Sequence, residues 1–143
     1  MNRQKGVAIV EFALILPFLL LMTFITTEFG RAIWQYNTLT KAVRDSARYL
    51  SAQTPGDPTA ITKARNLTVF GNLSGTGSPL AIGLSTANVP APTWQTAGTN
   101  PVINTVTVRI TGYTFNSMFA SAFGLPFGAV PFSDITATMR SYL

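Results

Sequence analysis

Residues 7–27 read VAIVEFALILPFLLLMTFITT, a run of 21 positions broken by a single charge, Glu11. At about 1.5 Å per helical residue the run spans about 30 Å. That is the thickness of a bilayer's hydrocarbon core. The pattern predicts a transmembrane helix, with a buried core helix as the competing reading. After residue 27 the continuous run gives way to a period. Ile33, Tyr36, Leu39, Val43, Ala47 and Leu50 recur three or four residues apart, with no proline and only Gly30 among residues 28–52. This spacing predicts one apolar stripe on a continuing helix. We therefore expect a single helix over 7–51, about 67 Å long, whose outer half lays its stripe on the domain that follows. Glu28 and Arg31 stand three apart, close enough to interact on the helix surface. Trp34 and Tyr36 suit either an aromatic belt at the outer membrane face or packing on the domain.

Thr54, Pro55, Gly56, Asp57 and Pro58 form a breaker cluster. Asp57 is placed to cap a second helix with Pro58 at its first position. Ala60, Ile61, Ala64, Leu67 and Thr68 supply its face, and Gly71 stops it. Residues 71–79, GNLSGTGSP, form a loop, and without a Gly-Lys-Ser/Thr ending they are not a phosphate loop. The period then changes. Val106, Val108 and Ile110 alternate with Thr105, Thr107, Arg109 and Thr111, and Ile135, Ala137 and Met139 alternate with Thr136, Thr138 and Arg140. Each reads as a half-buried strand. Residues 80–85 give a weaker third strand. Between the strong strands, residues 115–132 (FNSMFASAFGLPFGAVPF) are rich in Phe, Gly and Pro. They are either core filler on a long hairpin connection or an exposed apolar surface that docks a partner subunit.

Charge decides direction. The flank MNRQKG carries Arg3 and Lys5 and no acid, which the positive-inside rule places in the cytoplasm. Glu28 and Arg31 nearly cancel on the far side, so the rest of the chain is expected outside. A cleaved secretory signal is the competing reading. The run is longer than the usual apolar region of about 7–15 residues, however, and no small-x-small site follows it.

Glu11 lies inside the run, where a carboxylate near the bilayer centre costs about 2.5–3.5 kcal/mol and marks function by default. Reaching back to headgroups is the plainer alternative. Pro17 leaves the Ala13 carbonyl without its helical donor, which membrane helices tolerate as a kink. A new ammonium at Val7 would stand one helical turn from Glu11, and pairing there, within a chain or between neighbours, would lower the cost of both charges.

The string Gly6-Val7-Ala-Ile-Val-Glu11-Phe12, extended through Ala13 and Pro17 and joined by Glu28 and AVRDSARYL, resembles the TadE-like family of the Tad (Flp) type IV pilus systems. The resemblance covers about the first 50 residues. It implies a leader over 1–6, cleavage between Gly6 and Val7 by a prepilin peptidase, and pairing of Glu11 and Phe12 with neighbouring subunits. It further implies a minor pilin or pseudopilin, larger than the major Flp pilin, that takes part in assembly or initiation. Its partners would be the peptidase, other pilin subunits, the assembly platform and the lipid of a bacterial inner membrane, before any incorporation into the surface pilus.

Composition narrows the rest. There is no Cys and no His, and only five Asp and Glu. That rules out thiolate, zinc-finger and imidazole-triad chemistry and leaves little for acid–base work. We expect no enzyme, no catalytic residue, no metal, no cofactor and no small-molecule substrate. The +5 net charge is scattered. Lys41, Arg44 and Arg48 share a helix face, but without interleaved aromatics they read as a solvated face rather than a nucleic-acid surface. The expected fold is α+β: the long helix, a second helix, and a small antiparallel sheet in an extracytoplasmic domain over 52–143. The functional alternative is a single-pass anchor presenting an extracytoplasmic binding module outside any pilus.

Overall fold

The computed structural model describes residues 3–119, 121–122, 125–126 and 128–142. Helix α1 (Arg3–Ser51) is unbroken and passes through Pro17. Among the described residues it is already helical at Arg3, ahead of the expected residue 7, since Arg3, Gln4 and Lys5 are good helix formers. A turn follows, and helix α2 (Pro58–Phe70) begins where expected. The Asp57 carboxylate accepts the Thr59 amide at 2.9 Å, Pro58 occupies the first turn, and Gly71 closes the helix at φ 72°, its amide bonded to the Leu67 carbonyl. The left-handed conformation is the reason for glycine there.

The sheet has three strands in the order β1 (Thr93–Ala97), β2 (Ile103–Ile110), β7 (Ile135–Ser141), all antiparallel. Register sets Val106 opposite Met139 and Val108 opposite Ala137. Val106, Val108, Ile110 and Ile135 thus face the helices, while Arg109, Thr136, Thr138 and Arg140 face out. Short pairs complete the connection: β3 (Thr114–Phe115) with β6 (Val130–Pro131), and β4 (Ser121–Ala122) with β5 (Leu125–Pro126). The α+β architecture is as expected. The third strand is not. Residues 80–85 form turns, with Leu84 bonding back to Ala81 and Gly83 at φ 83°. Ala81 and Leu84 are buried three apart, a turn's spacing and not a strand's. The third strand is β1, a largely exposed edge.

The core lies between the outer half of α1, α2 and one face of the sheet. Leu39, Val43, Ala47 and Leu50 of α1 meet Ala60, Ala64 and Val69 of α2 and the inward strand residues. The buried face of α1 begins differently from the expected stripe: Ile33 and Tyr36 are exposed, and Glu28 and Gln35 are buried in their place. Gln35 is accommodated because the Tyr113 hydroxyl reaches its Oε1 at 3.3 Å as well as the Ile82 carbonyl at 3.0 Å. At the far end the Tyr142 amide donates to the Ser51 carbonyl at 3.0 Å, fastening the end of β7 to the end of α1.

Candidate functional site

From Gly6 to Leu20 every residue of α1 is exposed, and the first ring contact with the domain among the described residues comes at Phe24. The helix's most apolar 18-residue window is wholly unburied, and Gly6–Ser51 is long and apolar enough to cross a membrane. The sequence-selected residues all sit here. Gly6, Val7, Val10, Glu11 and Leu14 line one shallow hollow along the helix, because residues one turn apart share a face. Phe12 and Pro17 lie outside that hollow. Glu11 is exposed and has no hydrogen bond or ion pair among the described residues. Gly6 is helical, and a Cβ added to it would meet no atom within 4 Å.

A second cluster forms where the bare helix becomes the buttressed one. Arg31 holds Glu28 with two parallel bonds, Nε to Oε1 at 3.2 Å and Nη2 to Oε2 at 3.0 Å. A segment some ninety positions later closes over the pair. The Met118 amide donates to Glu28 Oε2 at 3.2 Å, and Arg31 Nη2 donates to the Asn116 carbonyl at 2.6 Å. The guanidinium carbon lies 4.4 Å from the Phe115 ring centroid. The Glu28–Arg31 pairing was legible from sequence, but its burial under residues 115–119 was not. The available signal was a connection rich in Phe and free of charge.

The Arg31 guanidinium hydrogen-bonded to Glu28 holds its carboxyl below the usual carboxylate range, against the opposing pull of burial, with help from the Ser117 hydroxyl and the Met118 amide. A lowered carboxylate pKa stabilises the docked state above the ordinary value, and the contribution is lost as pH falls through the lowered one. Glu28→Gln should therefore loosen residues 115–119 at neutral pH, costing about 1–3 kcal/mol of local docking. It should also abolish the acid-induced loosening seen in the wild type. Met118 amide protection followed by NMR across the acid range reads both.

The Phe-rich connection proves to be both core filler and exposed surface. Phe115 is buried, and Phe132 packs on Tyr113 and Tyr36 with centroids 5.6 Å apart in each case. Met118 is 71% exposed and Val130 is also exposed. Ala120, Phe123, Gly124 and Phe127 lie outside the described residues. Tyr36 thus packs on the domain by one edge, whereas Trp34 is 62% exposed. Lys41, Arg44 and Arg48 are all exposed, a solvated face. Among the described residues no group of His, Cys, Asp and Glu is placed to hold a metal.

Fold and site together define a chain with, among its described residues, one helix long and apolar enough to anchor it in a membrane, and an α+β domain built on that helix's far half. Residues 6–48 match the family model described as TadE-like protein, in agreement with the resemblance read from Gly6, Glu11 and Pro17. No match was found among curated proteins or among solved structures.

Proposed function

We propose that the chain is a minor pilin or pseudopilin that takes part in assembly or initiation of a Tad pilus, after a prepilin peptidase removes residues 1–6. The observation that carries the reading is Gly6. A glycine inside a helix costs about 1 kcal/mol relative to alanine. The usual reasons for one are absent here, since the backbone is helical and a side chain would project into open space. A requirement imposed by another molecule remains, and a peptidase that accepts only a minimal side chain before the scissile bond supplies it. Glu11, exposed one turn after Val7, is then available to the new ammonium of its own or a neighbouring chain.

In this reading α1 anchors the subunit in the inner membrane with its N-terminus in the cytoplasm. The bare face meets first lipid and then other pilin helices, and the assembly platform engages the subunit there. Deleting the gene should abolish Tad piliation, and wild-type piliation in the deletion strain would overturn the proposal. The orientation has its own check. A reporter fused after Leu143 that folds only outside the cytoplasm should be active, and activity of a cytoplasm-only reporter at the same position would reverse the topology.

A further inference from the structure

The apolar character of α1 does not end at the membrane boundary expected at Thr27. Ile25, Phe29 and Ile33 stand four apart on one face and are all exposed, Phe29 at 68%. Beside them lies a groove of about 510 Å³, closed on its other side by Phe115, Val130 and Phe132. The domain segment that forms this second wall reaches back along the helix. Phe119 stacks on Phe24 with ring centroids 4.6 Å apart, and Phe24 is about 4.5 Å short of Thr27 by helical rise. Residues 110–133 contain no charged side chain. The charges nearest the groove, Glu28 and Arg31, neutralise each other and are bonded to the backbone of residues 116 and 118.

We infer that Met118, Phe119 and Val130 enter the extracytoplasmic leaflet beside α1, so that phospholipid fills the groove, its acyl carbons against Ile25 and Phe29 and its glycerol and headgroup region against Ile33. This rests on the membrane anchor of the proposed function and not on pilus assembly. Height favours lipid as the occupant. The groove spans from about 3 Å inside Thr27 to about 9 Å beyond it, from the hydrocarbon edge across the headgroup layer, which is about 5–7 Å deep. Chemistry favours it too. The groove's one charged lining residue, Glu28, is already paired, so the walls present an apolar surface that makes no directional demand on what fills it. Exposed Trp34 and half-exposed Tyr36 follow at the level where amphipathic rings belong.

The absence of cysteine makes the test direct. The full chain is placed one copy per lipid nanodisc of phosphatidylethanolamine and phosphatidylglycerol, carrying a single environment-sensitive fluorophore at Met118→Cys. Val130→Cys is a second position in case the first label perturbs the loop. Leu19→Cys reports the span, and Lys63→Cys on α2 reports water. Nitroxide-labelled lipid quenches from the membrane and iodide from solution. The Met118 and Val130 probes should respond to a shallow nitroxide and show iodide quenching about fivefold weaker than Lys63, as for apolar groups sunk about 5 Å into the interface. Iodide quenching equal to that at Lys63, with Leu19 in lipid, overturns the inference and leaves the anchor standing. Leu19 in water as well overturns both. Protection that appears only when several copies share a disc assigns the groove to a neighbouring subunit and also overturns it.

Discussion

Glu11→Gln should leave the protein inserted and processed at wild-type level while piliation is lost. The substitution keeps the size of the side chain and removes a charge that sits in the apolar stretch of a helix and has no partner among the described residues. Insertion should stay the same or improve, because a carboxylate deep in a bilayer costs about 2.5–3.5 kcal/mol. Gly6 and the basic leader are untouched, so cleavage should proceed. Assembly should fail because a neighbour's buried ammonium would meet an amide, and an unpaired charge in a low-dielectric contact is strongly unfavourable. The folded domain begins well beyond this position, so stability gives no competing explanation. Complementation of a deletion strain, with protein level and processing measured in parallel, is the readout. Wild-type piliation by Glu11→Gln would assign the carboxylate to headgroup contact instead.

Gly6→Leu should have an equally complete effect at an earlier step. The cleaved form should vanish and the full-length chain accumulate in the membrane. The added side chain meets open space on a helical backbone, so the variant should fold and insert as before, its first turns firmer by about 1 kcal/mol. Intact-mass spectrometry with the peptidase present separates the outcomes. Loss of residues 1–6 from Gly6→Leu, or wild-type protein still beginning at Met1, would remove the processing role from Gly6.

The parts of the fold that could be read in advance are those specified by neighbours in sequence. Asp57, Pro58 and Gly71 set the ends of α2 because capping is local. The alternation at 106–110 and 135–139 set β2 and β7 because one side of each strand meets water. What escaped was determined across the fold. Strand β1 carries no alternation because it is an edge whose residues are mostly exposed on both sides, leaving Trp94 as its main apolar signal. Ala81 and Leu84 looked like strand residues because burial alone does not say whether the chain turns between them. The buried face of α1 was misplaced at Ile33 and Tyr36 because the true face runs through Glu28 and Gln35, polar residues made tolerable by Arg31 and Tyr113. Gly6, Glu11 and Pro17 were legible as a motif, and the fold adds that it makes no structural demand on the first two. The cover over Glu28 and Arg31 was invisible, since its donors and acceptors are backbone atoms of residues 116 and 118.

Because α1 is continuous from the anchor to Ser51, the subunit has no swivel between membrane and domain. Gly30, the helix's intrinsically softest point beyond Thr27, falls between Glu28 and Arg31 and is splinted by the segment bonded to them. From Thr27 to Ser51 the helix is a stiff crank about 36 Å long, so rocking the anchor by about 10° sweeps its far end through about 6 Å. Any displacement of the anchor therefore reaches the domain as displacement instead of being absorbed in a joint.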